Sequence, residues 1–68
     1  MNYTQILNEL RERGFTFRWG VRGILKKEYF AQIVSKDESY KITTPASKNP
    51  MTVLQVRDSL ARGLLSAI

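Results

Sequence analysis

The residues with the clearest chemical potential are cations gathered in one stretch of the chain, residues 11–27, called here the basic window. It holds six basic side chains and a single acid, Glu12, so it carries a charge of +5. The remaining residues hold five bases and five acids, so the whole net charge of +5 lies in the window. The six basic residues are Arg11, Arg13, Arg18, Arg22, Lys26 and Lys27. Because arginine makes bidentate contacts with phosphates, this cluster predicts salt-dependent binding of RNA or DNA.

Aromatic side chains offer a second kind of contact. Phe15, Phe17 and Trp19 lie inside the basic window, where packing in a core is a more common role for a ring than stacking on a base. Trp19, Tyr29 and Tyr40 are candidate interface residues, although the two tyrosines could instead be cross-strand neighbours on one sheet face. Exposed aromatics and arginines anchor protein interfaces. The alternative function is therefore a protein-interaction module, a small inhibitor or accessory subunit that docks on an acidic protein surface.

Residues that commonly catalyse reactions or hold metals are scarce. The chain contains no histidine and no cysteine, which excludes disulfides and zinc sites built from these ligands. Only Asp37 and Glu38 are adjacent among the six carboxylates, and the four glycines match neither a phosphate-binding loop nor a nucleophile elbow. We therefore expect a protein that is not an enzyme and that has no metal and no cofactor.

Length and composition limit the architecture. The 68 residues suffice for one small domain, residues 1–68, and a hydrophobic content of 43% suffices for a single thin core. No apolar run approaches the ~18 residues that span a membrane, and the first residues lack the basic and apolar pattern of a signal peptide. We expect a cytoplasmic protein that does not enter membranes.

The elements that would position the basic window follow from hydrophobic periodicity. At the start of the chain, apolar residues recur with helical spacing: Tyr3, Ile6, Leu7 and Leu10. Asn2 and Gln5 can form a capping box at the beginning of this helix, and Gly14 can supply the left-handed residue that ends it.

A strand is predicted directly after this helix. From residue 15 the period of the apolar residues changes to two, which places Phe17 and Trp19 toward the helices and Arg18 on the other side. Gly20 and Gly23 then bracket a predicted loop or bulge.

The segment 24–35 is ambiguous, because its apolar spacing suits a helix and also a strand. We prefer a strand that Lys26 and Lys27 begin, because residues 36–39 have the composition of a turn. Residues 40–44 form another alternating run, so the two segments predict a hairpin.

A second helix completes an α+β fold. It begins near Pro50, with either Asn49 or the pair Thr52 and Gln55 as its cap. The order is α-β-β-β-α, which predicts a three-stranded antiparallel sheet with two helices packed on one face. The other sheet face, or the apolar ending 64–68, could form a homodimer.

This order of elements resembles the double-stranded-RNA-binding domain. The leucine-bearing residues 6–10 are similar to the first helix of that family, and the resemblance implies contacts with duplex RNA. Family members place several lysines at the start of the final helix. The matching region here, residues 47–52, contains Lys48 alone.

The chain also resembles the HicA family of small toxins, which share the topology. The similar residues are Ile6, Leu7, Gly14, Phe15, Phe30 and residues 42–45. In that family a histidine three residues before the phenylalanine is catalytic. Lys27 stands at this position, so the resemblance implies the fold without the ribonuclease activity.

Overall fold

The computed structural model describes residues 2–68. The elements are α1 (Tyr3–Glu12), β1 (Phe15–Arg22), β2 (Glu28–Ser35), β3 (Lys41–Thr43) and α2 (Pro50–Ala67). The strands form one antiparallel sheet in the order β1-β2-β3. The predicted α-β-β-β-α order and the α+β class are confirmed, and the ambiguous segment contains a strand.

Both ends of α1 are formed by the residues that the sequence indicates. The Gln5 backbone N–H donates to Asn2 Oδ1 and the Asn2 N–H donates to Gln5 Oε1, each at 2.9 Å. This capping box satisfies two backbone groups that a helix N-terminus leaves unpaired. Gly14 has a φ of +93°, the left-handed conformation that ends the helix. The chain therefore turns directly into β1, which begins at the next residue.

The start of α2 resolves the two alternatives for its cap. Asn49 is the cap, because its Oδ1 accepts a hydrogen bond from the Met51 N–H at 3.0 Å. Pro50 occupies the first helical position, where its missing N–H costs no hydrogen bond. The helix continues through Gly63 to Ala67.

The hairpin of β1 and β2 is longer than the sequence predicted. All eight residues of β1 pair with β2, from Phe15 opposite Ser35 to Arg22 opposite Glu28. The expectation of a loop or a bulge between Gly20 and Gly23 is therefore wrong. Gly20 lies inside the strand, beneath the ring of Phe30 on β2. The connecting loop comprises residues 23–27. The strand predicted over residues 24–35 therefore begins at residue 28, four residues later than expected.

Gly20 is in the strand because it leaves room for an aromatic ring. Its partner across the ladder is Phe30, and a β-carbon on Gly20 would lie 2.2 Å from the Cζ atom of that ring. The ring covers the glycine, which compensates for the missing side chain in the middle of the ladder.

The core lies between the two helices and one face of the sheet. Its buried cluster takes residues from both helices and from β2: Ile6, Leu7, Leu10, Ile33 and Ala61. Phe15, Phe17 and Ile42 pack against this cluster from alternate strand positions. Because successive strand residues point to opposite faces, both helices cover the same side of the sheet. Burial of each large aliphatic side chain contributes about 1.5–3 kcal/mol.

The chain after β3 continues along the outer edge of β2. The Ala31 N–H donates to Thr44 Oγ1 and the Thr44 N–H donates to the Ala31 carbonyl, each at 2.9 Å. Tyr29 and Ser47 then exchange two backbone hydrogen bonds, at 2.7 and 2.9 Å. Among residues 2–68, no strand lies beside the hairpin past Tyr29 on this edge, so the loop of the hairpin extends from the sheet.

Candidate nucleic-acid interface

The fold distributes the six cations of the basic window along the sheet. β1 spans seven residue steps between Phe15 and Arg22, so its two ends lie about 23 Å apart. Arg11 and Arg13 lie at the end of α1, Arg18 lies in the middle of β1, and the other three lie at the far end. The window is one cluster in sequence and three separate groups in space.

The two arginines near the end of α1 already have partners. The guanidinium carbon of Arg11 lies 5.2 Å from the centroid of the Phe17 ring, a cation–π contact, and Nη1 donates to Asn8 Oδ1 at 3.0 Å. Arg13 Nε lies 3.8 Å from Glu9 Oε2, with both side chains about half exposed. The Glu9 carboxylate therefore partly neutralises Arg13, whereas the contacts of Arg11 orient its guanidinium group and leave its charge in place.

Arg18 lies on the sheet face away from the helices, as its alternation with Phe17 predicts. Its Nη2 lies 3.3 Å from Oε1 of Glu38, in the turn between β2 and β3. The two side chains are 54% and 68% exposed, and an exposed ion pair contributes only ~0–1 kcal/mol. The pair reduces the positive field of the open face, but a phosphate could replace the carboxylate.

The remaining three cations are at the end of the hairpin, in residues 22–27, called here the hairpin tip. Arg22, Lys26 and Lys27 are all exposed. Within residues 2–68 none of them takes part in an ion pair, although Glu28 is paired with Arg22 in the strand register. Lys26 and Lys27 were predicted to begin a strand, and they lie in the loop instead. The unpaired positive charge of the window is therefore concentrated at this tip.

The shape of the hairpin tip depends on Gly23. This residue has a φ of +94°, which side-chain-bearing residues rarely adopt. A β-carbon at this position would also lie 2.3 Å from the backbone carbonyl oxygen of Lys26. The loop folds back tightly over its first residue, and this turn sets the direction of the residues that follow.

Two apolar side chains form the apex of the tip. Ile24 is 93% exposed and Leu25 is 97% exposed, the highest values among the large hydrophobic residues that the structure describes. The sequence reading missed this feature because it assigned both residues to a strand. The available signal was a short apolar pair isolated between a glycine and a Lys-Lys dipeptide.

A partly exposed aromatic pair lies along the same hairpin. The rings of Trp19 and Tyr29 have centroids 6.0 Å apart and planes tilted by 33°. Trp19 is 46% exposed, and the neighbouring Val21 is 49% exposed. Trp19 is expected to face the helices together with Phe17, and of these two residues only Phe17 packs against the core cluster.

Tyr40 lies at the opposite end of the sheet from this pair. Its ring makes an edge-to-face contact with Phe15, with centroids 6.0 Å apart. The expectation that Tyr29 and Tyr40 are cross-strand neighbours is wrong, because Tyr40 lies opposite Ser35, where its carbonyl accepts the Ser35 N–H at 2.9 Å. The three candidate interface residues therefore do not form one surface.

A shallow groove of about 410 Å³ lies beside the hairpin tip. Arg22, Phe30, Gln32 and Thr43 contribute to its lining. The Gln32 amide donates to the Thr43 hydroxyl at 3.2 Å, which fixes both polar groups. The groove thus places an aromatic ring and hydrogen-bonding groups next to an unpaired cation.

Among residues 2–68, no three histidine, cysteine, aspartate or glutamate side chains come close enough together to hold a metal ion. None of the described helices is both long enough and apolar enough to cross a membrane.

Comparisons of the chain with protein-family models, with curated proteins and with solved structures found no match.

Proposed function

We propose that this chain is a small, non-catalytic, cytoplasmic nucleic-acid-binding protein that contacts phosphates through the hairpin tip. The observation that carries the proposal is the presence at the hairpin tip of three exposed cations, Arg22, Lys26 and Lys27, that form no ion pair within residues 2–68. The proposal includes no chemical step, because the chain has no histidine and no three carboxylates come together within residues 2–68.

The positions of the other cations explain why the tip is the primary contact. Arg11 and Arg13 have a ring and a carboxylate as partners, and Arg18 has Glu38. A phosphate would have to compete with the carboxylates of Glu9 and Glu38 for Arg13 and Arg18, whereas it can approach the tip cations directly. Since exposed ion pairs are weak, Arg18 can serve as a secondary phosphate contact when the tip is bound.

The dimensions of the hairpin suit a duplex groove. Paired strands lie about 4.8 Å apart, and two-stranded β-ribbons bind duplex DNA in the major or the minor groove. Arg22 comes from one strand of the hairpin, and the two lysines precede the other strand. Cations are therefore present on both sides of the tip, as contact with two phosphate backbones requires.

The direct test is a titration at low salt. A fluorescently labelled DNA duplex, the RNA duplex of the same sequence and a single strand are each titrated with the protein, and fluorescence anisotropy is recorded. We expect saturable binding that weakens as salt is added. Unchanged anisotropy with all three nucleic acids at low salt would refute the proposal.

The partly exposed Trp19–Tyr29 pair favours a second candidate function, a protein-interaction module. Aromatic side chains that are half exposed are enriched in protein interfaces. A pull-down from the source cell, with and without nuclease treatment, separates the two functions. A partner protein that stays bound after nuclease treatment supports this second function, and a partner that is lost supports nucleic-acid binding.

A homodimer is compatible with either function. An apolar groove of about 600 Å³ lies between β3 and the end of α2, and Ile68 at its end is 51% exposed. Sedimentation at high protein concentration tests this, since a monomer under these conditions excludes the dimer.

A further inference from the structure

We propose that Ile24 and Leu25 form an apolar wedge that enters duplex DNA. When the hairpin tip binds, the two side chains would insert between neighbouring base pairs and kink the duplex. This inference rests on the proposed nucleic-acid binding and identifies its substrate as double-stranded DNA that can be bent.

The first argument is the exposure of the two side chains. Ile24 and Leu25 are 93% and 97% exposed, and neither belongs to the core cluster. A single exposed aliphatic residue is ordinary, but two consecutive ones at the apex of an extended loop leave a continuous apolar surface in water. These two side chains add nothing to the core. Because removal of apolar surface from water is favourable, their burial against a bound partner would stabilise the complex.

The second argument is the arrangement of charge around the apolar pair. Arg22 precedes the pair and Lys26 and Lys27 follow it, all exposed and without ion-pair partners among residues 2–68. The tip therefore has an apolar centre and cationic sides. A DNA groove has the complementary arrangement, since stacked bases form its floor and phosphates form both edges.

The third argument is mechanical. A wedge must stay in place while it separates stacked bases, so its support has to be rigid. The ladder below the tip is fully paired up to Arg22 and Glu28. The loop then turns tightly at Gly23, whose position leaves no space for a side chain beside the Lys26 carbonyl. This geometry holds the apolar pair at the end of a two-stranded support.

The same features favour DNA over duplex RNA. Proteins that insert isoleucine or leucine between base steps do so from the minor groove of DNA and kink it toward the major groove. Duplex RNA has a different A-form geometry, with a deep, narrow major groove and a shallow minor groove that is recognised by shape and by 2′-hydroxyl contacts. A tip that acts by insertion should therefore prefer DNA, and above all DNA that is already easy to kink.

The test uses the double variant Ile24→Ser, Leu25→Ser, which keeps every charge of the tip. A DNA duplex with donor and acceptor dyes at its two ends reports bending as increased energy transfer. We expect the unmodified protein to increase the transfer and to bind a duplex with an unpaired bulge at least about tenfold more tightly than an intact one. The double variant should retain salt-dependent binding, and it should lose both the increase in transfer and the preference for the bulge.

The outcomes separate the wedge from the proposed function. If the unmodified protein binds duplex DNA without an increase in energy transfer, the wedge is refuted and nucleic-acid binding stands. If the protein binds no nucleic acid, both proposals fail. If the double variant bends DNA as well as the unmodified protein does, the apolar pair is not the wedge.

Two controls complete the experiment. Circular dichroism should show the same fold for the double variant, since both substituted side chains are exposed. If the double variant does not fold, the single variant Leu25→Ser replaces it in the same measurements. The second control is an anionic membrane surface, which also offers negative charge and an apolar interior. Binding to vesicles that contain phosphatidylglycerol is followed through the fluorescence emission of the single tryptophan. Vesicle binding that requires Ile24 and Leu25, in a protein that does not bend DNA, would overturn the wedge in favour of a membrane contact.

Discussion

The salt dependence of DNA binding gives the sharpest test of the assignment of phosphate contacts to the hairpin tip. Among residues 2–68, none of the three cations at the hairpin tip, Arg22, Lys26 and Lys27, takes part in an ion pair. If each neutralises one phosphate, the slope of log K against log salt is about −2.7, because each contact contributes about −0.9 in B-form DNA. Affinity should then fall about 40-fold between about 50 and about 200 mM salt.

The perturbation is the double variant Lys26→Gln, Lys27→Gln. It leaves one tip cation, so the slope should decrease to about −0.9 and the loss over the same salt range should be about 3.5-fold. Anisotropy titrations of a labelled duplex at several salt concentrations provide both slopes. Because a slope depends on the number of phosphates contacted, it is less affected than a single affinity by small changes in labelling or protein concentration.

The matched control is Lys36→Gln, Lys41→Gln, which removes the same charge from the other end of the sheet. Both lysines are exposed and neither takes part in an ion pair within residues 2–68. Lys36 directly follows Ser35, the last residue of β2. Ser35 lies about 23 Å from Glu28, the first residue of this strand and the one next to the tip. The control should keep a slope near −2.7.

Two results would refute this reasoning. Equal reductions in slope for both double variants would mean that binding responds to net charge and not to the tip. An unchanged slope after loss of Lys26 and Lys27 would place the phosphate contacts away from these two lysines. The remaining cations of the window are Arg11, Arg13, Arg18 and Arg22.

Three further predictions concern the stability of the fold. Gly63→Ala should raise the free energy of unfolding in urea by about 1 kcal/mol, because a β-carbon there meets no atom within 4 Å and alanine favours helix; a decrease would show a hidden contact. Gly20→Ala should lower the free energy of unfolding by about 1 kcal/mol, because the Phe30 ring must move to make room for the β-carbon. If this clash is the cause, the same substitution should cause no loss of stability in a Phe30→Ala background. Hydrogen bonds from the hydroxyl and N–H of Ser39, and then from Ser35, lower the pKa of Asp37 to about 2, below its ordinary value near 3.9. Because the folded-state pKa is the lower one, the carboxylate stabilises the protein above about pH 4, and this contribution is lost as the pH falls toward 2. The advantage in Tm over Asp37→Asn should therefore shrink across this interval, and a constant advantage would contradict the assignment.

Local signals in the sequence were sufficient for most of the fold. Asn2, Gln5 and Gly14 set the limits of α1 through hydrogen bonds and backbone conformation within a few residues of each other. Pro50, with Asn49 before it, similarly set the start of α2. The period-two pattern also identified the strands, since alternation depends only on the pleat of an extended chain.

Errors occurred where an assignment depended on residues distant in sequence. A glycine often marks a loop, but Gly20 continues β1 because the ring of Phe30 covers it from the neighbouring strand. Trp19 has the alternation of a core residue, yet it is 46% exposed and is not among the side chains that pack against the core cluster. Alternation indicates which face a residue points to, and only the packed helices decide whether that face is covered.

The same distinction holds for the candidate site. The sequence by itself determined that the positive charge lies in one window and that the chain offers little catalytic chemistry. Only the tertiary structure decided which cations are free, because Arg18 meets a carboxylate twenty residues away and the extended strand separates the rest. It also placed Ile24 and Leu25 at an exposed apex, since exposure depends on where the neighbouring elements end.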